Sequence, residues 1–181
     1  MKRVSVILAD GFEEVEGLTV VDLLRRADIQ TDMVSITKEK QIEGAHGIQI
    51  TADTLFENVD FNEVDMLVLP GGMPGTLNLE AHKELNELLI KFAEEKKKLA
   101  AICAAPRVLG DLGLLNGKHA VCYPGNEERL EGAAVSQEKV EVDGNIITSR
   151  GVGTAIEFAL TIIEVLKNKE EAARIKEAIL Y

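Results

Sequence analysis

Residues 99–106 read LAAICAAP, and this octet decides the architecture. Leu99 to Ile102 is a short apolar run with no polar alternation, the pattern of a strand buried on both faces. Cys103 follows it directly. Pro106 then suits the first turn of a helix, where a missing N–H leaves no helical hydrogen bond unmade. The octet reads as a strand over 99–103 that turns sharply into a short helix over 104–112, broken by Gly110 and Gly113.

The same alternation of short β-rich runs and longer helical stretches extends in both directions. Upstream, 4–9 reads as a strand, 14–27 as a helix, 31–36 as a strand, and 64–69 as a continuous apolar strand that enters Pro70-Gly71-Gly72. A helix over 79–95 leads back to the octet. Residues 41–50 alternate around Gly44 and Gly47 and read as a small hairpin. Downstream, 119–122 reads as a strand, 140–142 and 146–148 as a hairpin about Asp143-Gly144, and 154–166 and 170–179 as helices. Strands alternating with helices predict an α/β fold, with a doubly wound, mostly parallel sheet and helices on both faces. One domain over 1–181 is expected, since there is no repeat or Pro/Ser-rich linker and the length suits a single core.

Composition narrows the function. A net charge of -11 disfavours nucleic acid and anionic lipid surfaces. The lone basic run, Lys96-Lys97-Lys98, follows Glu94-Glu95 and reads as a solvated helix end. The apolar stretch 4–9 is too short for a signal-peptide core, and no window approaches the roughly 20 apolar residues of a spanning helix. A cytoplasmic protein is expected. Two cysteines, Cys103 and Cys122, make no disulfide framework and no zinc pair.

Around Cys103 the small residues Ala101 and Ala105 lie two before and two after, the small-x-nucleophile-x-small spacing of a strained turn that presents a nucleophile. Without that spacing, a free cysteine is read as an ordinary small core residue. A helix start after the turn is expected to favour the thiolate. The glycines of Gly71-Gly72-Met73-Pro74-Gly75 would let backbone N–H groups join the amide of Ala104 as an oxyanion hole. In a parallel sheet this loop, the 10–16 segment and Cys103 would converge at the carboxyl edge. Glu13, Glu14 and Glu16 open the first helix, where carboxylates suit the helix dipole, and spacing does not choose among them as an acid or base. His46, His82 and His119 are all remote from Cys103 in sequence, so no local cysteine–histidine motif exists.

Five ordered segments, VILADGFEEVEG at 6–17, VDLLRRA at 21–27, DMLVLPGG at 65–72, AAICAAP at 100–106 and DGNIITSRGVGTAIEFAL at 143–160, resemble the ThiJ/PfpI superfamily. The resemblance is to its DJ-one-like (Parkinson-disease protein deglycase) branch. It implies a flavodoxin-like fold, a homodimer, Cys103 as nucleophile, and Glu16 as the carboxyl partner of that thiol. It further implies Gly71, Gly72 and Ala104 at the oxyanion and Arg26 as an anion-binding side chain. The branch's histidine corresponds to Tyr123, a second arginine to His46, and the histidine that follows the cysteine in protease-like members to Ala104, so peptidase activity is not implied. The implied activity is cysteine-dependent conversion of a small dicarbonyl substrate, or repair of a glycated protein, of glyoxalase III or deglycase type, with no metal or organic cofactor. The alternative is a redox sensor or chaperone acting through oxidation of Cys103.

Overall fold

The computed structural model describes residues 2–181. In chain order the elements are β1 (Arg3–Leu8), α1 (Glu14–Arg26), β2 (Gln30–Ser35), β3 (Gln41–Glu43), β4 (Gln49–Thr51), β5 (Thr54–Leu55) and β6 (Met66–Leu69). They continue as α2 (Gly75–Ala81), α3 (Lys83–Glu94), β7 (Lys98–Ile102), α4 (Pro106–Asp111), β8 (His119–Ala120), β9 (Ala134–Val135), β10 (Val140–Asp143), β11 (Ile146–Ser149), α5 (Ala155–Leu166) and α6 (Lys169–Ala178).

Seven strands form the main sheet in the order β10-β11-β7-β6-β1-β2-β5. Every pairing in it is parallel except that of β10 with β11. The flavodoxin-like reading therefore holds. Period-two alternation along the strands divides the apolar core between two faces. Val4, Val6, Leu8, Met66, Val68, Ala100 and Ile102 pack on one side under α1, α5 and α6, chiefly against Leu24, Phe158 and Ile162. Ile7, Leu67, Leu69, Leu99 and Ala101 face the other side, under α2, α3 and α4, chiefly against Leu85, Leu89, Phe92 and Leu109.

Three elements differ from the sequence expectation. The helix expected over 79–95 is two helices, α2 and α3, divided at His82. His82 is extended (φ -84°, ψ 99°), and its Nδ1 accepts the Leu85 N–H at 3.1 Å, so the imidazole caps α3 instead of continuing α2. The strand expected over 119–122 stops at Ala120 and pairs with β9 outside the main sheet. Beyond it the backbone bonds elsewhere: Val121 N–H donates to Thr148 Oγ1 at 2.9 Å, and Tyr123 N–H to the Cys103 carbonyl at 2.7 Å. The helix after Cys103 begins only at Pro106 and is six residues long.

From β1 the chain winds in one direction to β2 and later returns to the other side of β1 as β6. The carboxyl ends of β1 and β6 thus flank a topological switch point, the place where open α/β sheets form a crevice. β7, which carries Cys103, is the next strand beyond β6.

Candidate active site

Cys103 is the residue immediately after β7, and its backbone is left-handed at φ 66°. A side chain other than glycine in that region carries strain of about 1 kcal/mol or more. Bonds on both sides hold the turn: Cys103 N–H donates to the Ser149 carbonyl at 2.9 Å, and its carbonyl accepts the Tyr123 N–H. Ala101 and Ala105 are completely buried, as the small positions of such a turn must be where strand and helix meet. The thiol itself is half-buried.

Loops after β1 and β6 close on this turn. Glu13 N–H donates to the Gly71 carbonyl at 2.9 Å, and Gly75 N–H to the Gly11 carbonyl at 3.0 Å. Gly71 lies so near the centre that a Cβ on it would stand 2.7 Å from Cys103 Cβ and 2.8 Å from Glu16 Oε2. Gly72 needs its glycine for a second reason, a φ of 92°. The convergence expected of parallel strand ends is present.

Of the three candidate carboxylates, the one brought to the thiol is Glu16, on the first turn of α1 and fully buried. Its Oε2 accepts the Gly71 N–H at 2.8 Å, while Oε1 has no hydrogen-bonding nitrogen or oxygen among the described residues. Cys103 Cβ and Glu16 Oε2 close on the same side of Gly71, which sets the thiol beside this carboxyl. Burial is the main cause that lifts Glu16 from an ordinary 4.5 to about 7, against the opposing pull of the Cys103 and Gly71 hydrogen bonds. Burial also pushes the Cys103 thiol up, to about 12, reinforced by the negative charge of Glu16. The backbone amides of Ala104 and Gly72 pull in the opposite direction. The expectation of a thiolate favoured by the following helix therefore needs correction. α4 is short and starts three residues later, and desolvation beside a carboxylate outweighs the two amides. The pair behaves as one site that keeps a proton near neutrality.

His46 and Arg26 do not join the sulfur within the chain. The His46 backbone N–H donates to Glu14 Oε1 at 2.8 Å, and its Nδ1 lies 2.8 Å from Glu14 Oε2 and 3.4 Å from Glu13 Oε2. The hydrogen bond to Glu14, and then the charge of Glu13, raise the imidazole pKa. Burial works to raise Glu14, but its bonds from His46 and nearby amides hold it below the usual carboxylate range. The imidazole is thus committed to two glutamates, and these three side chains bring their ligand atoms within 4.8 Å of one another. Arg26 pairs with Asp22 at 2.7 Å in the last turn of α1. Ten residues of helix, about 15 Å, separate it from Glu16.

Tyr123 is half exposed and stands beside the site: its ring borders Gly151, where a Cβ would lie 3.2 Å from the ring and 3.9 Å from Cys103 Sγ. Gly151, in the loop from β11 to α5, is a wall of the site that the sequence reading passed over. The signal was the Gly151-x-Gly153 spacing directly after a strand.

Comparison with known proteins accords with this geometry. Residues 2–165 match the DJ-1/PfpI family. The chain is 39% identical to protein DJ-1 homolog B of Arabidopsis thaliana, covering 96% of this chain and 40% of that protein. It spans less than half the length of the Arabidopsis relatives it matches. It is 33% identical to a Pyrococcus abyssi protein named a deglycase, covering 91% of this chain and 99% of that one. The solved structure of oxidized Toxoplasma gondii DJ-1 superposes with a TM-score of 0.96 at 36% identity, covering 100% of this chain and 99% of that one. A cysteine turn after a parallel strand, a buried glutamate against it and full-length agreement in both sequence and fold have one common source: the chain belongs to the DJ-1/PfpI family.

Proposed function

We propose that the chain is a cysteine-dependent enzyme acting on small dicarbonyls or their adducts, of glyoxalase III or deglycase type. The observation that carries this reading is the pairing of the Cys103 thiol with a buried Glu16 carboxyl that Gly71 holds by one oxygen. With methylglyoxal as substrate, the Cys103 sulfur bonds to the aldehyde carbon, and the carbonyl oxygen takes up the proton of the pair. Gly72 and Ala104 N–H groups, which pull the thiol pKa down, would stabilise the developing oxyanion. Glu16, now a carboxylate, removes the hydrogen of the former aldehyde carbon and returns it to the neighbouring carbon through an enediol, leaving a thioester. Water cleaves the thioester to lactate and restores the thiol. The atoms of methylglyoxal and one water balance with no other reagent.

A raised Glu16 suits both halves of this cycle, because a group near 7 exchanges a proton readily at neutral pH. Tyr123, beside the sulfur, would border the substrate and donate a hydrogen bond to it. The related Pyrococcus abyssi deglycase is consistent with this class of chemistry. Lactate formation from methylglyoxal without glutathione tests the reading, with Cys103→Ser as the control that must lose it.

The second reading is a redox sensor. The related Toxoplasma gondii structure is of an oxidized form, and a protonated Glu16 would donate a hydrogen bond to an oxidised sulfur. Two equivalents of peroxide would convert the thiol to sulfinate and release two waters. Intact mass after mild peroxide, measured beside aldehyde turnover, separates the two. We further propose a homodimer, for which the exposed apolar side chains Val15 and Ile48, beside the Glu14–His46 clasp, are candidate contacts.

A further inference from the structure

Within the chain, Arg26 pairs with Asp22, and His46 with Glu13 and Glu14. Beyond the Gly151 wall of the thiol site, the molecule supplies a different pair of cations. A cleft of about 530 Å³ is bounded by Tyr123, Gln137, Lys139, Arg150, Gly151 and Val152, among others. Gly151 is common to this cleft and to the wall of the thiol site. Lys139 and Arg150 are brought together by the end of the hairpin that β10 and β11 form, where Arg150 N–H donates to the Lys139 carbonyl at 3.3 Å.

Neither cation has a carboxylate partner among the described residues. The Arg150 guanidinium makes one long contact, 3.5 Å from Nη1 to the Gln137 carbonyl. Elsewhere arginines are neutralised: Arg107 by Glu80, Arg129 by Asp111, Arg174 by Glu171. On a chain of net charge -11, two cations without a carboxylate partner thus line one cleft that shares Gly151 with the thiol site.

We propose that Lys139 and Arg150 are specificity-determining residues that hold an anionic group, carboxylate or phosphate, on a substrate whose electrophilic carbon reaches Cys103 past Gly151. The proposal rests on the reading of Cys103 as nucleophile and names the substrate class for it: carbonyl compounds with an anionic tail in preference to neutral ones. Tyr123 and Val152 would contact the tail's carbon chain.

Alkylation of Cys103 tests this without requiring turnover. Three haloacetyl probes share a reactive end and differ in the tail: N-iodoacetyl-β-alanine, its uncharged amide, and N-iodoacetyl-aminoethylphosphonate. Rates are followed by intact mass on the full chain and on Lys139→Gln, Arg150→Gln and the double variant. Lys139 is exposed, so its variant folds even if Arg150→Gln does not. The expected result is a fall of roughly five-fold in the anionic-to-neutral rate ratio for each charge removed, with the rate for the neutral amide unchanged. Added salt should lower the wild-type ratio and leave that of the double variant nearly constant. Carboxylate and phosphonate probes that respond unequally to the variants identify which anion the cleft holds. A ratio indifferent to both substitutions, with Cys103 still labelled, overturns the proposal alone. A Cys103 unlabelled by all three probes overturns the nucleophile reading and the proposal with it.

Discussion

Replacing Glu16 by glutamine should remove a pH dependence from the stability of the fold. Glutamine keeps the shape and leaves an oxygen to accept the Gly71 N–H. What it removes is the ionisation. The folded-state value of Glu16 is raised from 4.5 to about 7, so the folded chain binds a proton there that the unfolded chain has released. Stability from this group is then fully present below about 4.5 and is lost as pH rises through about 7. At about 1.4 kcal/mol per tenfold, the loss across that window is about 3 kcal/mol. Urea unfolding of wild type and Glu16→Gln at several pH values between 4.5 and 8 measures it. Subtracting the two curves cancels every other titrating group, and the difference should favour the variant by about 3 kcal/mol more at pH 8 than at pH 4.5. Parallel curves, or a wild type that gains on the variant as pH rises, would refute a protonated, desolvated Glu16.

Other consequences follow from the same geometry. Because the charge of Glu16 helps push the Cys103 thiol up, thiolate absorbance in Glu16→Gln should appear at lower pH than in wild type, while aldehyde turnover is lost. Cys103→Gly should raise stability by about 1 kcal/mol by relieving the left-handed backbone at φ 66°, and Cys103→Ala should not, as thermal unfolding would show. Gly71→Ala should cost roughly 1–3 kcal/mol and abolish Cys103 alkylation, since its methyl would stand 2.7 Å from Cys103 Cβ. Asn126 receives the Arg107 guanidinium and donates to the Tyr123 carbonyl, so Asn126→Ala should raise KM more than it lowers kcat by loosening Tyr123.

Much of this was legible in the sequence, and for physical reasons. Strands buried on both faces leave continuous apolar runs, and 66–69 and 99–103 are such runs; the small residues flanking Cys103 mark a turn where bulk would collide. What stayed hidden depends on partners distant in sequence. Helix α3 starts at His82 because its ring accepts a backbone N–H, a role that the pattern of apolar residues does not register. The 119–122 stretch looks like sheet, yet its later amides go to Thr148 and to the turn carbonyl of Cys103. Residue type alone left Glu13, Glu14 and Glu16 equivalent, and resemblance chose Glu16. The structure adds why: two positions of helix, about 200° of rotation, point Glu16 into the Gly71 loop while Glu14 turns to His46. The intrachain partners of Arg26 and His46 were not legible either, since a charged side chain's allegiance is set by its nearest opposite charge.

The central claim is that Cys103 turns over aldehydes with Glu16 as its proton carrier. It is tested most directly by measuring lactate formed from methylglyoxal, without glutathione, by wild type, Cys103→Ser and Glu16→Gln. Wild type should form lactate catalytically and both variants should lose it; a Cys103→Ser protein that still makes lactate at the wild-type rate would rule out the cysteine as nucleophile.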